Sequence, residues 1–265
     1  MSGFLIVNPR AGRGRPSTHE LVDEARRRGI EVHVLSRGED AAAIVRSADA
    51  SVVGMAGGDG SVAPVAEVCI ELDRPFVSVP FGTHNHFARD LGLDTDEPFS
   101  ALAAFENGHE LRLDVGRADG RLFVNNVSLG LYARLVHHRE RRRRRRELLA
   151  RLRALALVAR ERHSVGLSID DEPVAARIVL IANNAYTLDL FSLGERERLD
   201  EGVLHVYVAT GLFPNEWLER TRPRVVIDST ASRLRAAIDG EPAELEPPVE
   251  LTAHPSALRV LVPRR

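Results

Sequence analysis

The stretch that most constrains the fold is a glycine-rich loop between an apolar run and a helix-forming segment. Gly57-Gly58-Asp59-Gly60-Ser61 follows the apolar run 51–56 and precedes the segment 62–68. Glycines let a ligand approach the main chain closely, and the N-terminus of a following helix attracts anions. A carboxylate beside a bound phosphate is repulsive unless a divalent cation lies between them, so Asp59 indicates metal–nucleotide chemistry. An ordinary Gly-Asp-Gly turn between a strand and a helix explains the same residues equally well.

Strands and helices alternate through the first half of the chain. Apolar runs predict strands over residues 4–7, 31–35, 51–56 and 75–80, with helical segments between them. The first helix has a capping box, in which Ser17 is followed three residues later by Glu20. Such alternation predicts a parallel sheet with right-handed crossovers. Ligands bind such sheets beyond the carboxyl ends of the strands, where we expect the polar loops 8–14, 57–61 and 82–86.

The first of these loops, residues 8–15, is rich in glycine and arginine. It lies between a strand and the N-terminus of a helix, which is the arrangement of an anion site. A solvated basic loop is the alternative interpretation, and the loop by itself does not decide between the two.

Several motifs together resemble the diacylglycerol kinase catalytic domain family, which includes bacterial lipid kinases, sphingosine kinases and ceramide kinases. They are Asn8-Pro9 with Gly12, the glycine loop 57–61, Pro80 with Gly82-Thr83 and Asn85, and Phe87-Ala88-Arg89 with Leu91-Gly92. NAD kinases and phosphofructokinases carry a similar glycine loop, so the Gly82-Thr83-x-Asn85 segment makes the lipid kinases the better match. The resemblance implies an N-terminal Rossmann-like α/β domain with a parallel sheet, a C-terminal antiparallel β-sandwich domain, and an active-site cleft between them.

The second half of the chain is rich in strands. Segments 111–116 and 122–127 flank a turn and predict a hairpin, and so do 164–169 and 176–183. Further strands are expected at 203–209, 225–228, 232–238 and 258–262, which favours an antiparallel sandwich or barrel. We place a domain boundary near residue 112, with a nucleotide-binding domain over 1–112 and an acceptor domain over 113–265.

A helical, arginine-rich stretch over residues 129–162 interrupts these strands. It contains six consecutive arginines, Arg141 to Arg146, followed by leucines at helical spacing. A basic amphipathic helix binds anionic membrane surfaces, whereas a solvated helix that packs one apolar face on the sandwich is the plainer interpretation. No aromatic residues interleave the arginines, and the whole chain has 36 basic and 38 acidic residues. We therefore expect no nucleic-acid partner.

The remaining composition indicates a cytoplasmic protein. The single cysteine, Cys69, excludes an internal disulfide, and the apolar run 4–7 is too short for a signal peptide. No apolar run approaches the roughly 20 residues that span a bilayer, so any membrane contact is expected to be peripheral. The sequence leaves a homodimer open.

The family resemblance also implies roles for individual residues. ATP is expected to contact Asn8, Pro9, Gly12, Ser36, Gly57, Gly58, Asp59, Gly60, Ser61, Thr83 and Asn85. Asp59 would hold catalytic Mg²⁺, and Glu241, in the turn Asp239-Gly240-Glu241, would be the general base. A structural Mg²⁺ site is implied at the Glu201 side chain with the carbonyls of Arg198 and Val203, although the family usually has Asp in place of Glu201. Without the resemblance, both turns are ordinary acidic β-turns.

His86 departs from the family pattern. This chain has Asn85-His86-Phe87 where bacterial diacylglycerol kinases usually have Asn-Asp-Phe. Imidazole is not a ligand for a hard metal ion, although it accepts a proton when neutral and binds phosphate when charged. His86 and Asp239 complete the candidate catalytic set.

The expected function is ATP-dependent transfer of a phosphoryl group to a lipid hydroxyl, with diacylglycerol-like or sphingoid lipids as acceptors. The alternatives are a small-molecule kinase of the NAD-kinase type and a degenerate nucleotide or lipid binder.

Overall fold

The computed structural model consists of two compact units, each formed from several segments of the chain. It describes residues 2–11, 16–83, 85–130, 166–176, 178–187, 196–209 and 218–264. Unit 1 comprises Met1–Val115, Tyr186–Glu201 and Pro255–Arg265, and unit 2 comprises Gly116–Ala185 and Gly202–His254. The chain first passes from unit 1 to unit 2 at 115–116. The sequence did not indicate that two later segments return to unit 1.

Unit 1 contains a parallel sheet with helices between its strands. Its elements are β1 (Gly3–Val7), α1 (Thr18–Arg27), β2 (Glu31–Val34), α2 (Ala41–Ser47), β3 (Val52–Gly57), α3 (Asp59–Glu71), β4 (Phe76–Pro80), α4 (His86–Asp90), α5 (Pro98–Ala101), α6 (Ala104–Asn107) and most of β5 (His109–Ala118). The strands lie in the order β2-β1-β3-β4 and all pair in parallel. The end of β16 (Val249–Val262) pairs with β4. The predicted α/β fold is confirmed.

Local sequence explains how these elements begin and pack. The capping box at the start of α1 forms as predicted, because Ser17 and Glu20 each accept a hydrogen bond from the other's backbone N–H. The apolar strands bury Leu5, Val52 and Val79 in the core. Phe105 packs against this sheet at Gly54, where the absence of a side chain leaves room, because a Cβ there would lie 2.6 Å from the Phe105 ring.

Unit 2 is an antiparallel β-sandwich, as predicted. Its strands are β6 (Arg121–Phe123), β7 (Asn126–Gly130), β8 (Leu167–Ile169), β9 (Glu172–Val174), β10 (Ile178–Asn183), β11 (Leu204–Ala209), β12 (Leu218–Arg222), β13 (Arg224–Ser229), β14 (Leu234–Ile238), β15 (Glu241–Leu245) and the first part of β16. Six of them form a sheet in the order β12-β11-β10-β7-β14-β15. Side chains from this sheet and from β8, β13 and β16 share one core, including Val127, Ile181, Ile227 and Leu251.

One predicted hairpin is wrong and another is only partly right. β8 pairs with β9 around Asp170 and Asp171, which both have positive φ and form a two-residue turn. β10 therefore pairs with β7 and β11 rather than with β8. The hairpin of β5 and β6 does form, but its second strand ends at Phe123 and the chain continues into the other sheet as β7.

The arginine-rich stretch lies almost entirely outside the described residues. Leu129 and Gly130, where the helix was expected to begin, belong to β7 instead. Residues 131–162, including Arg141 to Arg146, lie outside the described part of the chain. Among the described residues, no helix is long and apolar enough to cross a membrane.

Candidate active site

Three loops meet at the carboxyl edge of the parallel sheet in unit 1. The strands β1, β3 and β4 are neighbours, and near their carboxyl ends Val7 pairs with Ala56 and Gly57 pairs with Pro80. The Asn8 N–H continues the ladder by donating to the Ala56 carbonyl at 2.9 Å. The segments that follow these strands are therefore adjacent, as the strand order requires.

The helix α3 begins earlier than the sequence indicated. It starts at Asp59 with Gly58 as its N-cap, so the second half of the glycine loop forms the first helical turn. The Asn8 side-chain amide donates to Ser61 Oγ at 3.1 Å, and Asn8 Oδ1 accepts from the Arg10 N–H. Asn8 thereby joins the loop after β1 to the first turn of α3.

A close contact between two glycines fixes the spacing of the loops after β3 and β4. A Cβ added to Gly82 would lie 2.3 Å from Gly58 Cα and 2.8 Å from the Gly58 backbone nitrogen. No side chain fits at such distances, so residue 82 must be glycine for the two backbones to meet. A Cβ on Gly58 would lie 3.5 Å from Gly82 Cα, which is an ordinary contact.

Asn85 shapes the loop that follows β4. Its backbone is left-handed, with φ 52° and ψ 43°, and its side chain is buried. Asn85 Oδ1 accepts from the Gly82 N–H at 2.8 Å, and its amide donates to the Gly82 carbonyl at 3.1 Å. Asparagine tolerates the left-handed region better than most residues, which explains its place at the N-cap of α4. This finding gives Asn85 a structural role beside the expected one in ATP binding.

Asp59 connects the first turns of two helices. Its Oδ1 atom accepts a hydrogen bond of 3.0 Å from the Phe87 N–H in the first turn of α4. Asp59 is partly buried, as is His86 at the first position of α4. A single carboxylate suits Mg²⁺, because this ion usually keeps several waters and takes only one or two protein carboxylates beside substrate phosphates.

The other expected ATP contacts are more exposed. Ser36 follows β2 at the same edge, because the Leu35 N–H donates to the Val7 carbonyl at 2.9 Å. Its own N–H donates to the Glu39 carboxylate at 2.7 Å. Hydrogen bonds from His33 and then from Ser36 lower the pKa of Glu39. Thr83 is exposed, Pro9 is partly buried beside Asn8, and Gly12 lies outside the described residues.

Asp239 has a structural role in unit 2. Its carboxylate accepts hydrogen bonds from three consecutive backbone N–H groups, those of residues 124, 125 and 126, at 2.9, 2.7 and 3.1 Å. These bonds hold the bend between β6 and β7, where the chain changes sheets. Glu241 is the first residue of β15 and is exposed.

The residues of the expected structural metal site lie near an acidic turn. Arg198 Nε donates to Asp200 Oδ1 at 3.1 Å. Glu201 is partly buried and belongs to unit 1, whereas Val203 belongs to unit 2. Among the residues that the structure describes, no three His, Cys, Asp or Glu side chains form a metal-binding cluster. The structural Mg²⁺ site stays a prediction.

Two buried carboxylates in unit 1 were not predicted from the sequence. Asp114 accepts from the Ser256 N–H at 2.8 Å, and its own N–H donates to the Leu199 carbonyl at 2.9 Å. These bonds attach both returning segments to unit 1. Asp114 stands between Leu113 and Val115 in an apolar strand. A charged residue in that position predicts a buried carboxylate with a hydrogen-bond partner.

The second missed carboxylate is Asp90, at the end of α4. It forms an ion pair with Arg196 at 2.7 Å, and both side chains are at least 97% buried. Burial raises the pKa of Asp90, while Arg196 opposes that shift. The two residues are 106 positions apart, so no local pattern indicated that they meet.

Known proteins resemble this chain in sequence and in fold. Residues 2–118 match the model of the diacylglycerol kinase catalytic domain. A diacylglycerol kinase of Mycobacterium tuberculosis is 31% identical over 121 residues, which is 42% of this chain and 38% of that protein. One of Bacillus subtilis is 30% identical over 142 residues, which is 50% of this chain and 47% of that protein. The matches thus span less than half the length of these relatives.

The same fold is found in a solved structure of a diacylglycerol kinase from Bacillus anthracis. It superposes with a TM-score of 0.71 at 18% identity and covers 98% of this chain and 96% of that one. The sequence match runs from β1 to the end of β5 and includes every loop at the carboxyl edge of the parallel sheet. The motif resemblance to the diacylglycerol kinase catalytic domain is therefore confirmed over residues 2–118.

Proposed function

We propose that this protein is an ATP-dependent lipid kinase that transfers the γ-phosphoryl group to a lipid hydroxyl. Diacylglycerol-like and sphingoid lipids are the acceptor classes. The observation that carries the proposal is the Gly58–Gly82 contact, which brings two backbone loops together beside the open first turn of α3. The curated relatives support it, because those from M. tuberculosis and B. subtilis are both named diacylglycerol kinases.

The residues at the carboxyl edge fit a nucleoside triphosphate. The first turn of a helix presents backbone N–H groups that lie before its regular hydrogen-bond ladder. In α3 the Ser61 N–H donates to the Gly58 carbonyl at 2.9 Å, and the helix dipole favours an anion beside this turn. Gly58 and Gly60 add no side chain that would hold a phosphate away from these groups. Asn8 and Asn85 hold the surrounding loops, so the phosphate site is preorganised before ATP binds.

Asp59 would hold the catalytic Mg²⁺. The chemistry that such an ion would supply when bound is neutralisation of phosphate charge during transfer. Phe87 donates to one carboxylate oxygen of Asp59 and so orients the group. Because the Phe87 N–H contacts Oδ1, the direction of the carboxylate depends on where α4 lies.

We assign the role of general base to Glu241, on the strength of the family resemblance. A carboxylate that accepts the proton of the acceptor hydroxyl contributes about 10²–10⁴-fold to the rate. Asp239 is assigned to structure instead, since its carboxylate holds three backbone N–H groups. His86 is assigned to phosphate binding in its charged form, because an imidazolium, unlike the carboxylate usual in the family, attracts an anion.

We further propose that Arg141 to Arg146 bind anionic lipid headgroups at a membrane surface. Each arginine near such a surface contributes about 1 kcal/mol. Cosedimentation of the whole protein with vesicles containing 30% anionic phospholipid tests this directly. Binding that disappears when the six arginines are replaced by glutamine supports the proposal, whereas equal binding of the two proteins contradicts it.

An assay of phosphoryl transfer from radiolabelled ATP separates the candidate functions. Diacylglycerol, sphingosine and a polyprenol are supplied in mixed micelles, and NAD is supplied in solution. Labelled lipid is expected from the wild-type protein and not from Glu241→Gln. Labelled NAD alone would support a small-molecule kinase, and ATP binding without any transfer would support a degenerate binder.

A further inference from the structure

The short helix α4 is held at both ends by side chains from elsewhere in the chain. It has five residues, His86 to Asp90, and a helix of this length is not stable by itself in water. Near its N-terminus, the Phe87 N–H donates to Asp59. At its last residue, Asp90 pairs with Arg196. Its position is therefore set by these tertiary contacts together with the packing of Phe87 and Ala88, which are both buried.

The pair between Asp90 and Arg196 is buried to an unusual degree. Both the Nε and an Nη atom of Arg196 contact Asp90 Oδ2, at 2.8 and 2.7 Å, and the two side chains are only 3% and 1% exposed. The ring centre of Tyr186 lies 5.7 Å from the guanidinium carbon. Removing two charges from water is costly, so a buried pair is weak evidence for stability and is better explained when it specifies one arrangement.

The segment that carries Arg196 is anchored independently of α4. The Leu199 carbonyl accepts from the Asp114 N–H at 2.9 Å, and Asp114 lies in β5. Arg196 thus reaches α4 from a fixed point in unit 1. A guanidinium at a fixed point, with two donors on one carboxylate oxygen, sets the position of the helix end that carries this oxygen.

We propose that Arg196 is a positioning residue for phosphoryl transfer. Through Asp90 it sets the position of α4, and the Phe87 N–H of that helix then orients the Asp59 carboxylate. The inference rests on the proposed function for its kinetic consequence, but its structural consequence is measurable without any substrate. Neither residue touches the substrate in this account.

A double replacement distinguishes positioning from simple stabilisation. Arg196→Met alone removes the charged partner of a buried carboxylate and leaves only the hydrogen bond from the backbone N–H of residue 196, so we expect a lower melting temperature. Asp90→Leu combined with Arg196→Met replaces the pair by apolar side chains of similar volume, which commonly restores stability. If the pair only stabilises the fold, the double variant regains function together with stability. If the pair positions α4, the double variant regains stability alone.

Hydrogen exchange of the protein without ligands gives the first test. In the double variant, we expect the peptide covering residues 86–90 to exchange at least about tenfold faster than in the wild type. Peptides from α1 and from unit 2 should be unchanged. The matched control is Glu24→Leu combined with Arg28→Met, which removes an ion pair at the C-terminal end of α1 and should leave exchange of residues 86–90 unaltered. Unchanged exchange in a stable Asp90/Arg196 double variant would overturn the inference.

Kinetics give the second test. A displacement of about 1 Å at a reacting group costs up to about 10²-fold in rate. We expect kcat of the stable double variant to fall at least tenfold, with the KM for ATP changed less than about threefold. Arg196→Lys keeps the positive charge but cannot place both Nε and Nη donors on the carboxylate. Its kcat should therefore lie between that of the double variant and that of the wild type. Wild-type kcat in the double variant would contradict positioning and leave the proposed function intact.

Failure of the proposed function has a different signature. If the wild-type protein neither binds Mg²⁺-ATP nor transfers phosphate, the kinase assignment is overturned and Arg196 has no transfer reaction to support. If the wild type is active and the Asp90/Arg196 double variant matches the Glu24/Arg28 control in exchange and in kcat, the kinase assignment stands and the positioning role of Arg196 is overturned.

Discussion

Asp59 Oδ1 and the backbone nitrogen of Phe87 lie 3.0 Å apart, so one carboxylate joins the first turn of α3 to the first turn of α4. The family resemblance implies contacts of Asp59 with ATP and Mg²⁺ only. The structure adds a second role, in which the same side chain accepts a hydrogen bond that helps to position α4. Substitutions that keep or remove the hydrogen-bond acceptor separate the two roles.

Asp59→Asn should abolish activity without harming the fold. Asparagine keeps an oxygen that can accept from Phe87 but loses the charge that holds the metal, so we expect turnover to fall by at least about 10²-fold. Asp59→Ala should lose the same activity and also about 1–2 kcal/mol of unfolding free energy. Urea denaturation together with the transfer assay measures both effects. Equal stability losses in the two variants would show that the Phe87 bond contributes nothing.

Gly58→Ala should weaken nucleotide binding, whereas Gly82→Ala should destabilise the fold. A methyl group on Gly58 makes only an ordinary contact, so the fold should lose about 1 kcal/mol or less. Nucleotide affinity should fall at least about tenfold, because the methyl group lies where a phosphate approaches the backbone. A methyl group on Gly82 would collide with Gly58, and the fold should lose about 1–3 kcal/mol. Calorimetric ATP binding and denaturation measure the contrast.

Asp239→Ala should destabilise the protein, whereas Glu241→Gln should not. The Asp239 carboxylate holds three buried or partly buried backbone N–H groups, and leaving them without an acceptor should cost about 2–4 kcal/mol. Exposed Glu241 should tolerate glutamine within about 0.5 kcal/mol while turnover is lost. If Asp239→Asn is as stable as the wild type yet inactive, Asp239 belongs to the catalytic machinery after all.

The ion pair between Glu110 and Arg259 should make stability depend on pH. Hydrogen bonds from Arg259 lower the pKa of Glu110 below its ordinary value of 4.5. A carboxylate with a depressed folded-state pKa contributes stability above its unfolded pKa and loses it as the pH falls through the folded pKa. Glu110→Gln should therefore lower the melting temperature at pH 7, and the difference from the wild type should shrink between about pH 5 and pH 3. A difference that stays constant would contradict the assignment.

The parallel sheet and its carboxyl edge are predictable from sequence, because both depend on local patterns. Short apolar runs followed by polar, glycine-bearing loops indicate buried parallel strands with a site at their ends. The loops 8–11 and 57–61 lie where that pattern puts them. The left-handed backbone of Asn85 and the early start of α3 were not predicted. Asn85 bonds to Gly82 only three residues earlier, whereas Asp59, at the start of α3, accepts from Phe87, which is 28 residues later in the chain.

Long-range pairing was not predictable in the same way. β8 and β10 are both apolar strands, and only the tight turn at Asp170-Asp171 decides that β8 pairs with β9. Arg196 and Asp90 are 106 positions apart. Asp239 binds the bend where the chain changes sheets between β6 and β7, and this contact forms only in the folded protein. In the sequence, Asp239 was notable only for its place in a motif that resembles a catalytic one.

The most direct test of the central claim is phosphoryl transfer from radiolabelled ATP to lipid by the purified protein, with Mg²⁺ and with Gly58→Ala as the matched variant. We predict labelled lipid from diacylglycerol or a sphingoid base with the wild type, and a loss of at least about tenfold with Gly58→Ala, whose stability should lie within about 1 kcal/mol of the wild type. Absence of labelled lipid from every acceptor, with NAD labelled instead or with ATP bound but unused, would contradict it.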